Sequence, residues 1–118
     1  MDLQPVNPGH VLVIPKVHAA YLADLDENTG GHIFKVAQKL SAALRGSGVK
    51  CEGVNFFLAD GEAAMQEVFH FHLHVFPRFK NDGFGLQFAP SYFEKPARSE
   101  LDSLAQAIKH SLGKMMTG

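Results

Sequence analysis

Three histidines stand at alternate positions in His70-Phe71-His72-Leu73-His74-Val75-Phe76, with an apolar residue in each gap. Successive side chains of an extended strand point to opposite faces, so this spacing predicts three imidazoles on one face and Phe71, Leu73 and Val75 in a core behind them. A purely structural sheet would use Thr or Val here, because each buried imidazole needs partners for its ring nitrogens. Imidazole serves as nucleophile, proton carrier or metal ligand. A metal site needs more than this row. Side chains two apart on a strand lie about 6.8 Å apart and the outer pair about 13.6 Å. Three such rings cannot close on one zinc ion at about 2.1 Å, so other ligands would have to join them.

The elements that must position this row can be read along the chain. Val11 to Ile14 is a short β-rich run stopped by Pro15, and Ala20 to Leu25 reads as one helical turn. From Thr29 to Arg45 the apolar residues Ile33, Val36, Ala37, Leu40 and Leu44 recur at helical spacing, and Gly46 and Gly48 end the helix. His32 falls in its first turn and reads as a solvated surface residue. Gly53 to Leu58 forms a strand, followed by a Gly- and Ala-rich loop and then the histidine strand, which gives two adjacent antiparallel strands. Asn81 to Gly85 is a loop, and the stretch to Tyr92 is irregular, with Phe88 as an anchor. Ser99 is placed to cap a last helix with the stripe Leu101, Leu104, Ala105, Ile108 and Leu112. The expected fold is α+β: an antiparallel sheet with the long helix packed on its apolar face, the histidines on the other face, and a C-terminal helix.

Bulk properties narrow the class of partner. The 118 residues, 46% of them hydrophobic, suffice for one domain over residues 1–118 with a core that needs no staples. A formal net charge of −1 offers no polybasic footprint for duplex nucleic acid. Small nucleotides stay open as ligands. The one cysteine, Cys51, excludes an internal disulfide and a Cys-x-x-Cys zinc site within this chain, and reads as a core residue. No signal peptide and no apolar run of about 20 residues is present, so no membrane partner is expected and the compartment expected is the cytoplasm.

The histidine run followed by Pro77-Arg78 resembles the signature of the histidine-triad superfamily of nucleotide hydrolases and nucleotidyl transferases. Pro8-Gly9-His10-Val11-Leu12-Val13-Ile14-Pro15-Lys16-Val17-His18 is similar to the family's upstream strand. Gly53-Val54-Asn55-Phe56-Phe57 resembles its middle strand, and Asp60-Gly61-Glu62-Ala63-Ala64-Met65-Gln66 its phosphate loop. The match runs in the right order from Met1 to Arg78, and the Gln-Glu-Val-Phe-His run before the triad suggests the bacterial branch.

The resemblance implies a role for each matching residue. His72 would attack the α-phosphorus of a nucleotide, giving a nucleotidyl-imidazole intermediate that water hydrolyses. His74 would contact the phosphate oxygens, and His70 and His10 would form a hydrogen-bonded support that fixes the ring tautomers. Gln66 would hold a phosphate oxygen, Asp2 would accept both ribose hydroxyls, and Leu3 would lie against the base. Asn55 is either a ligand-side polar residue or simply a polar residue ending a strand. His18 is expected to be structural and Lys16 a surface cation. No metal and no other cofactor is implied for turnover, and the family's habit suggests a homodimer.

Three departures from the family pattern carry expectations of their own. Met65 stands where a glycine is frequent, which would keep the backbone away from a phosphate. Glu67 stands where several branches have Ser or Thr, and a carboxylate repels polyphosphate. Family members also carry a stretch before the aspartate strand with much of the base pocket and often a zinc-binding cysteine pair, so weak base recognition is expected of this chain. Two other readings remain at this level. One is a nucleotide-binding regulatory module with little turnover, and the other is a zinc-dependent hydrolase using His70 with His72 or His72 with His74.

Overall fold

The computed structural model describes residues 1–117. The chain forms two compact units, Met1–Phe84 and Gly85–Gly118. The first runs β1 (Val11–Val13), a 3-10 turn (Leu22–Asp24), α1 (Glu27–Gly46), β2 (Gly53–Leu58), a second 3-10 turn (Glu62–Ala64) and β3 (Leu73–Arg78). These strands form an antiparallel sheet in the order β1-β3-β2. The fold is α+β.

β3 is the central strand because its alternation serves two environments at once. Leu73 and Val75 are buried with Val13 of β1 and with Ile33, Ala37 and Leu44 of α1. Val75 lies opposite both Val11 and Phe56, which puts those side chains on the same sheet face. The other face carries His74 opposite Leu12 and Phe57, and Phe76 opposite Asn55. α1 starts two residues before the expected Thr29. Asp26 caps it, its carboxylate accepting from the Thr29 amide at 2.8 Å and the Thr29 hydroxyl at 2.8 Å.

One expectation about the histidine row is corrected. β3 begins at Leu73, so His70 and His72 precede the ladder, although the His72 ring still lies beside that of His74, with centroids 5.0 Å apart. The partner strand explains this. Leu58, the last residue of β2, already sits opposite Leu73, and beyond it the chain departs through Gly61, whose φ of 105° suits glycine. Without a ladder to join, Phe71 donates its amide to Ala19 O at 2.6 Å.

The second unit holds a 3-10 turn (Pro90–Phe93) and α2 (Arg98–Thr117). Phe88 and Tyr92 stack with ring centroids 4.0 Å apart. α2 begins at Arg98, so Ser99 lies within its first turn and not at the expected cap. No helix among the described residues is long and apolar enough to cross a membrane.

Candidate active site

His72 sits half-buried just before β3, and its Nδ1 lies 2.7 Å from the backbone carbonyl of His70. A carbonyl only accepts, so Nδ1 carries the proton and donates it. In the neutral ring Nε2 is then a bare lone pair. The His74 ring lies 5.0 Å away, edge to face. The chain thus presents a nucleophilic nitrogen without using any other side chain to orient it.

His74 is held differently. The Val6 amide donates to His10 Nδ1 at 3.0 Å, which fixes the proton of neutral His10 on Nε2. That Nε2–H points to His74 Nδ1 at 2.9 Å, so neutral His74 carries its own proton on Nε2. Two neighbouring imidazoles therefore hold opposite tautomers: His72 offers a lone pair at Nε2 and His74 a donor at Nε2. The Asp2 carboxylate Oδ2 lies 3.4 Å from His10 Nε2 and 3.7 Å from His74 Nδ1, and its Oδ1 accepts from the Gln4 amide at 2.9 Å. Asp2 is also anchored by its own amide, which donates to His10 O at 3.0 Å.

Burial sets the electrostatics of this pair. It lowers the pKa of His10, against a raising influence from Asp2. It also lowers that of His74, where positive charge on His10 or His72 would act in the same direction and Asp2 again opposes. Phe76 backs His10 with ring centroids 4.9 Å apart, and Phe57 lies 5.8 Å from His74, so the pair has apolar walls.

The remaining expected site residues are placed otherwise. His70 does not join His10: its Nε2 donates to Pro15 O at 3.0 Å and its ring lies 5.6 Å from His18. Its support for His72 comes from its carbonyl. Gln66 is buried, and both ends of its amide are used inside the protein. Nε2 donates to Ala20 O at 2.7 Å and Val68 O at 3.1 Å, and Oε1 accepts from the Gly61 amide at 2.8 Å. Gln66 thus clasps the loop that carries it, with both ends of its amide engaged inside the protein. Leu3 is fully exposed.

Asn55 lies on the histidine face and accepts from Arg78 Nη1 at 2.7 Å. Arg78 also grips Asp82 through two nitrogens, at 2.6 Å and 2.9 Å, and Asp82 accepts from Asn7 at 2.9 Å. The Arg78 guanidinium holds the Asp82 carboxyl well below the usual carboxylate range. Sequence reading missed this network, although Asp82 in an Asn-Asp-Gly turn was a visible signal for backbone capping. The Val6 amide was not findable that way, since any residue type supplies one.

Asp2, His10 and His74 bring potential metal-ligating atoms within 4.8 Å of one another. Their protonation does not suit a cation. His10 Nδ1 is committed to the Val6 amide, so a metal at Nε2 would require an imidazolate. His72 with His74, or His70 with His72, likewise comes with no third ligand among the described residues.

The HIT-domain family model matches residues 1–81. An uncharacterized HIT-like protein of Borreliella burgdorferi is 46% identical over 88 residues, covering 74% of this chain and 63% of its own length. The crystal structure of a HIT family protein from Bacillus anthracis superposes with a TM-score of 0.82 at 38% identity, covering 94% of this chain and 78% of that one. A histidine triad nucleotide-binding protein from Candida albicans superposes with a TM-score of 0.81 at 30% identity, covering 98% and 81%. The chain belongs to the HIT-domain family. It spans about three fifths of the length of the curated relatives it matches.

Proposed function

We propose that this chain carries the active site of a nucleotide hydrolase or nucleotidyl transferase that works at the α-phosphate through a covalent nucleotidyl-His72 intermediate. The observation that carries the reading is the 2.7 Å bond from His72 Nδ1 to His70 O, which leaves Nε2 as the nucleophile. Nε2 forms a bond to the α-phosphorus while the bond from phosphorus to the leaving group breaks. Water then cleaves the P–N bond and regenerates the ring. His74 Nε2–H would donate to a phosphate oxygen, where charge stabilisation contributes most in a partly desolvated site. The nucleotide as ligand class draws support from the description of the Candida albicans protein as nucleotide-binding.

The test is incubation with α-labelled nucleotides followed by rapid denaturation. Acid-labile label should appear on the protein and be absent from His72→Ala, with chelator leaving both results unchanged. Nucleotide binding without label in the unaltered chain would instead support a regulatory binding module. Turnover lost in chelator and restored by zinc would support a metal-dependent hydrolase.

A further inference from the structure

Asp2 lies where the family resemblance implies a ribose ligand, yet its carboxylate is turned to the His10 and His74 imidazoles. We propose that Asp2 is a positioning residue: the acceptor that holds the His10–His74 pair when the pair takes up a proton. The inference deepens the reading of the site given above and rests on it for its catalytic meaning.

The protons on the ring nitrogens set what the pair requires. In the neutral pair, His10 Nδ1 accepts from the Val6 amide, His10 Nε2–H donates to His74 Nδ1, and His74 keeps its proton on Nε2. One proton from solvent can add at His74 Nδ1. Two N–H groups then face each other across 2.9 Å, and the ring-to-ring bond is lost. Both N–H groups need an acceptor. Asp2 Oδ2 is 3.4 Å from one nitrogen and 3.7 Å from the other, so a small rotation of either ring gives it a charge-assisted hydrogen bond.

The other groups facing the pair cannot do this. Phe57 and Phe76 are apolar, His72 is itself a base that repels a cation when charged, and the amino group of Met1 has the wrong sign. The carboxylate is held in place for the task, through Oδ1 by the Gln4 amide and through its backbone by His10 O. His74 would thereby face a phosphate as a neutral donor at high pH and as a cation at lower pH.

The experiment is a long-range 1H–15N titration of the imidazoles in the ligand-free full chain. At high pH, His10 and His74 should both show a proton on Nε2 and none on Nδ1. In Asp2→Asn, which retains an acceptor for the Gln4 amide, the titration midpoint of the pair should move to lower pH, while exposed His32 serves as the control and stays. Asp2→Glu should bring the midpoint back toward its original position.

An unmoved midpoint in Asp2→Asn would overturn the proposal, as would a proton found on His10 Nδ1 at high pH. So would a purely ribose-directed effect: weaker binding of adenosine monophosphate, unchanged binding of its 2′,3′-dideoxy analogue, and no change in the titration. Because the titration needs no nucleotide, its outcome is separate from whether His72 takes up label.

Discussion

The His70 carbonyl accepts from His72 Nδ1 at 2.7 Å, while the His70 ring turns away to Pro15 O at 3.0 Å. One residue thus supports its neighbour by backbone and anchors itself by side chain. Replacing the His70 ring leaves the bond to His72 available, whereas replacing His72 removes the nitrogen proposed to attack phosphorus. His72→Ala should therefore lower turnover by several orders of magnitude, against ~10⁶ for a nucleophile in a well-studied protease, with His70→Asn much milder. Steady-state rates of the two variants, compared after checking that both fold, decide this.

Coupling should follow the ring-to-ring bond and not the triad motif. His10 and His74 share a 2.9 Å bond, so His10→Asn and His74→Asn together should cost less than the sum of the single effects, with a coupling of about 0.5–3 kcal/mol. His10→Asn and His70→Asn share no bond and should add within about 0.5 kcal/mol. Double-mutant cycles on kcat/KM read both values, and strong coupling of His10 to His70 would contradict the arrangement.

Gln66→Ala should act on stability. The substitution removes three hydrogen bonds from a buried side chain, to the Gly61 amide and the Ala20 and Val68 carbonyls, and each group left unmet away from water costs about 1–3 kcal/mol. Urea denaturation measures this loss, and nucleotide affinity of the folded fraction should change little. Unaltered stability with sharply weakened phosphate binding would mean that the side chain serves ligand after all.

Met65 occupies a left-handed conformation, with φ of 71°, and its side chain is exposed. A non-glycine residue there costs roughly 1–2 kcal/mol, while glycine brings an entropic penalty of about 0.5–1 kcal/mol. Met65→Gly should leave stability unchanged or raise it by up to about 1.5 kcal/mol. A clear loss in chemical denaturation would show that the methionine side chain makes a contribution its exposure hides.

Acid should destabilise the fold through the His10–His74 pair. His10 and His74 titrate lower in the native chain than the ordinary histidine value of about 6.5, chiefly because of burial. The unfolded chain therefore binds more protons, so their contribution is full above that value and lost as pH falls through the lowered native range. Asp82 adds nothing in this window, since Arg78 keeps it ionised to much lower pH. Denaturation midpoints measured from pH 7.5 to pH 5 should fall, and a His10→Gln/His74→Gln variant should show a shallower fall.

Much of this protein was readable from local pattern. The apolar positions of α1, the strand Gly53–Leu58 and the core-facing Leu73 and Val75 follow from periodicities of 3.6 and 2, which the backbone imposes wherever a segment buries one face. The family pattern marked His10, His72 and His74 as candidates before any contact was known. Tertiary structure decided what each does with its nitrogens. A ring's tautomer depends on which group faces each nitrogen, and those groups come from residues far along the chain: Val6 and His10 for His74, Pro15 for His70, Ala20 for Gln66. The end of β2 at Leu58 also lies outside the histidine segment's own sequence, and it is that end which leaves His70 and His72 out of the ladder and frees the His70 carbonyl to accept from His72 Nδ1.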